Sequence, residues 1–65
     1  MKRREFCKRY NEVMKHSSYA TVLVKTSRFN SIYFSAYDII EGEVTFYLNG
    51  NIVAHFYLRD IKEFL

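Results

Sequence analysis

The hydrophobic period of this chain changes once, at Ser17 and Ser18, and that change restricts it to a helix followed by strands. Upstream, Phe6, Tyr10, Val13 and Met14 recur at i, i+4, i+7 and i+8, the spacing of one helical face. The spacing predicts an amphipathic helix over about residues 2–16. Glu5 stands four residues before Arg9 and Lys8 four before Glu12, so ion pairs of about 0.2–0.5 kcal/mol each are expected on its solvent side. Lys15 and His16 suit the negative end of the helix dipole. Arg3 and Arg4 oppose the positive end, so the first turn should fray.

Downstream the period falls to two. Ala20, Val22 and Val24 alternate with Thr21, Leu23 and Lys25; Ile32, Phe34 and Ala36 alternate with Tyr33, Ser35 and Tyr37. Turns are expected at Arg28–Asn30 and at Glu41 with Gly42, and Asp38 breaks the alternation as a bulge or strand end. Two further apolar runs flank Asn49, Gly50 and Asn51. A two-residue Asn-Gly turn would mix their faces. A three-residue loop with Asn51 left-handed aligns Leu48 with Ile52, Phe46 with Ala54 and Val44 with Phe56, putting the apolar residues on one side, and that register is expected.

Strands are therefore expected at about 19–26, 31–37, 43–48 and 52–58, followed by a C-terminal turn over about 59–65. In that tail, Leu58, Ile61 and Leu65 have helical spacing, and Asp60 with Glu63 resembles a capping box. The same string reads equally as a tight 3₁₀ turn leading into a short closing strand. The fold class is α+β, a single domain over 1–65: an N-terminal amphipathic helix packed on a four-stranded antiparallel meander with a short C-terminal helical turn, or five-stranded and barrel-like if the tail closes the sheet.

With 65 residues only one core is possible, and the six Phe and six Tyr give it large side chains and argue against disorder. The lone cysteine, Cys7, cannot close an internal disulfide, whereas small secreted domains usually depend on several; a reducing cytoplasm is expected. The basic start MKRREFCKRY lacks the apolar core of a signal peptide, and no apolar stretch approaches the length of a membrane span, so no membrane partner is expected. Residues with AT-rich codons (Phe, Tyr, Ile, Asn, Lys) are abundant while Gly, Ala, Arg and Pro are scarce, a pattern suggesting a phage or mobile-element gene.

Few residues suit catalysis. His16 and His55 are far apart in the chain and have none of the paired spacings of metal ligands; His55 reads as a cross-strand neighbour of Thr45. Cys7 reads as a half-buried structural thiol, although Lys8 and Arg3 are near enough in sequence to lower its pKa. Gly42 and Gly50 are each explained by a turn, so no phosphate-cradling loop exists. Neither an enzyme, a cofactor, a metal nor a small-molecule substrate is expected.

One helix cannot cover both faces of a sheet. If it covers Val22, Val24, Ile32, Phe34, Val44, Phe46, Ile52 and Phe56, the opposite face presents Leu23 with Tyr33, Tyr37, Tyr47, Val53, His55 and Tyr57. Those last six are the expected protein-binding residues, for a host protein or for a second copy in a homo-oligomer, because tyrosine joins a large apolar body to a hydroxyl that tolerates water. The alternative partner is nucleic acid. Lys2, Arg3, Arg4, Lys8, Arg9 and Lys15 concentrate the positive charge in the first fifteen residues and would contact phosphates. The sheet aromatics have only Lys25 among them, too little basic charge to track a single strand's backbone.

Overall fold

The computed structural model describes residues 1–25 and 30–65. Helix α1 spans Arg3–Met14 and ends two residues short of the expected His16, with Lys15 as its C-cap. Its first turn is closed by a bond from the Phe6 amide to the Lys2 carbonyl, 2.9 Å. The ion pair on the helix is Arg9–Glu12 at 3.8 Å, one turn apart, and not the expected Glu5–Arg9 or Lys8–Glu12. All of these side chains are exposed, so their rotamer freedom outweighs small differences in pairing.

Six strands follow among the described residues: β1 (Ala20–Val24), β2 (Asn30–Phe34), β3 (Ala36–Ile40), β4 (Glu43–Leu48), β5 (Asn51–Tyr57) and β6 (Ile61–Phe64). They form two three-stranded antiparallel sheets, ordered β2-β1-β6 and β3-β4-β5. This corrects the expected single four-stranded meander, and no barrel closes. The expected turn at Arg28–Asn30 begins outside the described residues; Asn30 itself opens β2.

The extra strand arises at Ser35. Its amide donates to the Tyr47 carbonyl at 2.8 Å, its hydroxyl donates to the same oxygen at 3.3 Å and accepts from the Asn49 amide at 3.0 Å. Its carbonyl accepts from Tyr10 Oη at 2.6 Å. A small residue that makes four hydrogen bonds within a bend lets one extended run serve both sheets. The bend also moves the inward side by one position: Phe34 is buried, and the next residues packed on the core are Tyr37 and Ile39. The expected break at Asp38 is absent, since β3 continues to Ile40.

The β4–β5 hairpin combines both registers weighed above. Val44 faces Phe56 and Phe46 faces Ala54 as expected, but the loop has two residues, Asn49 (φ 51°) and Gly50 (φ 87°), and Asn51 is already in the strand opposite Leu48. A bulge reconciles them. Between Phe46 and Tyr47 the pairing slips by one, with Val53 as the extra residue, so Ile52 faces Tyr47 instead of Leu48 and lies on the outer side. Of the two readings of the tail, the 3₁₀ turn leading into a short strand is the one found: Leu58–Asp60 form the turn and β6 pairs with β1, with no α-helical turn or capping box.

Both sheets and the helix enclose one core: Phe6, Ala20, Val22, Val24, Phe34, Val44, Phe46, Leu58 and Ile61. Phe6 is the helix's one fully buried residue, and its ring centroid lies 4.8 Å from Tyr37, 5.0 Å from Phe64, 6.2 Å from Phe46 and 6.4 Å from Phe34. Tyr10, Val13 and Met14 pack around this centre as the helical stripe requires. The two sheets and the helix cover the inner sides around this core, while Tyr33, Ile52, Val53 and Tyr57 stay exposed on the outer sides.

Candidate interaction surface

The expected aromatic face is divided by the fold. Tyr37 leaves it. Its ring packs edge-on against Phe6 and Tyr10, and its hydroxyl donates to Cys7 Sγ at 3.2 Å. Tyr33 stays exposed but belongs to the other sheet, stacked on Tyr19 at 5.0 Å, whose hydroxyl reaches Asn49 Oδ1 at 3.4 Å. Tyr47, Val53, His55 and Tyr57 remain together on β4 and β5.

These four belong to the outer side of the β3-β4-β5 sheet, where cross-strand pairing sets three rows. Ala36, Tyr47 and Ile52 form one, Asp38, Thr45 and His55 the next, and Ile40, Glu43 and Tyr57 the third. The middle is polar and bonded across the strands. Tyr47 Oη donates to Asp38 Oδ2 at 3.2 Å, while His55 Nδ1 lies 3.0 Å from Thr45 Oγ1 and His55 Nε2 lies 3.0 Å from Glu43 Oε1. The ends are apolar. Ile40 is 70% exposed, Ile52 67%, Val53 46% and Tyr57 45%, with the Arg59 guanidinium 4.3 Å above the Tyr57 ring. Ile40 and Ile52 escaped the alternation pattern because the Ser35 bend and the Val53 bulge each exchange the two sides.

A second signal was present in the sequence. From Val44 to Leu58 there is no Asp, Glu, Lys or Arg, in a chain whose charged fraction is 26%. This run of fifteen residues without Asp, Glu, Lys or Arg makes up all of the β4–β5 hairpin but its first residue, Glu43, and has one side exposed.

Thr45, His55 and Glu43 form a hydroxyl–imidazole–carboxylate line, the order of a nucleophile, a base and its orienting acid. Its setting is a flat sheet, with the His55 and Glu43 side chains 54% and 43% exposed. Water competes for each bond on this open side, and the three side chains form a cross-strand ladder. The surface grooves lie elsewhere. One, of about 530 Å³, runs between α1 and β6 past Glu5, Arg9, Glu12, Lys62, Glu63 and Phe64. Another, on the outside of α1, is lined by Lys2, Arg4, Glu5, Lys8 and Arg9, so it gathers four of the six expected phosphate-contacting cations but neither Arg3 nor Lys15. Among the described residues, no three His, Cys, Asp or Glu side chains gather as metal ligands, and no helix is long and apolar enough to cross a membrane.

Two tyrosines have shifted acidities. Tyr37 is pushed up to about 12, first by its burial against the aromatic core and then by the bond to Cys7. Tyr47 is also raised, first by desolvation on the sheet and then by its bond to the Asp38 carboxylate. For Tyr37 the fold favours the neutral phenol. Below the ordinary value of 10 both folded and unfolded chains hold the proton and this contribution is complete. Between pH 10 and about 12 only the unfolded chain ionises, so stability falls as pH rises. An alkaline titration of phenolate absorbance should show a last phase near pH 12, distinct from that of the raised Tyr47, that Tyr37→Phe removes. If the late phase survives that substitution, the assignment is wrong.

None of the known protein families matches this chain, and neither does any characterised protein or solved structure.

Proposed function

We propose that the protein is a non-enzymatic protein-binding module that docks through the outer side of the β3-β4-β5 sheet. The observation carrying this reading is the run from Val44 to Leu58 without Asp, Glu, Lys or Arg, whose exposed Ile52, Val53 and Tyr57, together with Ile40, flank a polar centre bonded across the strands. Apolar ends are desolvated cheaply by a partner, while the cross-strand bonds of the centre persist when water leaves and the second oxygens of Asp38 and Glu43 offer acceptors to a partner's donors. Tyr57 and Tyr47 supply rigid, wide contacts at low entropy cost.

A photo-activatable phenylalanine analogue placed at Tyr57 and, separately, at the exposed Ser18 tests this in lysate of the organism that carries the gene. Discrete protein adducts at position 57, lost on Ile40→Lys and absent at position 18, are expected. Equal labelling at both positions, or none at 57, would overturn the reading.

A second reading rests on the groove that gathers Lys2, Arg4, Lys8 and Arg9 on the helix. Phosphate contacts there predict nucleic-acid affinity that falls steeply with salt. A low-salt gel shift with duplex and single-stranded probes decides it: a retarded band lost on Arg4→Glu with Lys8→Glu supports it, and no retarded band removes it.

A further inference from the structure

We infer that the free edge of β5 is covered by a second copy of the same chain, two β5 strands pairing antiparallel about a two-fold axis. The inference goes beyond the partner-docking reading and does not rest on it.

Among the described residues the edge strands are β2 and β6 in one sheet and β3 and β5 in the other; β2 and β3 run into each other at Ser35 and β3 carries Asp38, which leaves β5 and β6 to compare. They are unequally protected. β6 has four residues, carries Lys62 and Glu63 outward and lies beside a groove rimmed by Glu5, Arg9 and Glu12. Shortness and charge are the usual means of blunting an edge. β5 has seven residues and neither Lys, Arg, Asp, Glu nor Pro. Its single protective device, the Val53 bulge, sits near the turn and leaves Ala54–Tyr57 in regular pairing.

The direction of its free main-chain groups follows from the ladder. The Leu58 amide bonds the Gly42 carbonyl, and in antiparallel pairing the residues that turn toward the neighbour alternate. Leu58, Phe56 and Ala54 therefore turn toward β4, while His55 and Tyr57 turn their amides and carbonyls to the open side. Two donors and two acceptors in this order are the template for an added strand.

Charge selects the occupant. The chain carries a net +3, concentrated on α1, so two copies repel each other across most approaches. The run from Val44 to Leu58 has no Asp, Glu, Lys or Arg, so the strands that pair bring no formal charge of their own, and the Arg59 guanidinium beside them is engaged over the Tyr57 ring at 4.3 Å. An antiparallel β5–β5 pair is self-complementary and closes at two chains. It yields one sheet of six strands, β3-β4-β5 continuing into β5-β4-β3 of the second copy. The two outer sides become one wide platform, with His55 and Tyr57 of both copies meeting at its seam and an Ile40 toward each end.

Chemical synthesis of the chain allows a test on the backbone alone. Unsubstituted protein should sediment at twice the 7.9 kDa chain mass as concentration rises. N-methylation of the Tyr57 amide keeps every side chain and leaves the β4 ladder intact, but blocks the open edge. It should weaken self-association by more than about tenfold, since two symmetry-related bonds are lost, with an unchanged circular dichroism spectrum. A genetically encoded Val53→Lys should act in the same direction by placing like charges at the seam. A protein that remains monomeric at its highest soluble concentration overturns the inference, as does a dimer unaffected by N-methyl-Tyr57. Because the methylated chain retains Ile40 and the Tyr57 ring, loss of dimer with retention of the lysate adducts separates this inference from the docking proposal.

Discussion

Phe6→Ala is expected to leave the chain unfolded at room temperature, seen as loss of the cooperative thermal transition in circular dichroism. Removing a fully buried phenyl ring costs about 3–5 kcal/mol through lost transfer energy and the cavity left behind. A domain below roughly 70 residues rarely holds more than about 3–5 kcal/mol from its single core. Phe6 is also the one residue by which α1 enters the centre, wedged among Phe34, Tyr37, Phe46 and Phe64. Neighbouring rings cannot close the gap without pulling the helix across both sheets. Phe6→Leu, which keeps most of the volume, should retain the transition at a lower midpoint. If Phe6→Ala still unfolds cooperatively with a loss below about 1 kcal/mol, the helix is not anchored as described.

The second large effect is expected at Gly50, through backbone conformation and not packing. With Asn49 at φ 51° and Gly50 at φ 87°, the hairpin loop has two consecutive left-handed residues, as a tight two-residue connection requires. A side-chain carbon added at Gly50 meets no atom within 4 Å, so space is not the obstacle. Gly50→Val should still cost about 1–3 kcal/mol, because a β-branched residue resists this region. Gly50→Asn should cost less, since asparagine tolerates it. D-alanine at the same position, introduced by synthesis, should be neutral or stabilising by about 0.4–1 kcal/mol because its handedness suits positive φ. Denaturant midpoints of the three chains give the order. D-alanine as harmful as valine would show that the loop is held by something other than its dihedral angles.

The Tyr37 and Gly50 results bear on different parts of the candidate surface. Gly50 fixes the turn from which the Val53 bulge carries Ile52 outward, so it shapes the docking side. Tyr37 holds the opposite side of β3 to the helix.

Local pattern alone determined the helix and its stripe, the position of both tight turns and the pairing of Val44 with Phe56 and Phe46 with Ala54. In each case the period of the apolar residues reports which side of an element meets the core, and that is a property of neighbouring residues. Tertiary structure decided the number of strands, the inward turn of Tyr37 and the exposure of Ile40 and Ile52. Alternation runs unbroken through Ser35, and nothing local marks it as the point where one run passes between sheets; the bend is held by Tyr10, Tyr47 and Asn49, distant in sequence. Val53 likewise becomes the extra residue only because the two-residue turn and the core-facing register differ by one. A period of two records parity within a strand, and a bend or bulge reverses parity at the cost of one residue, so the side a residue faces is settled by the contacts that hold the bend.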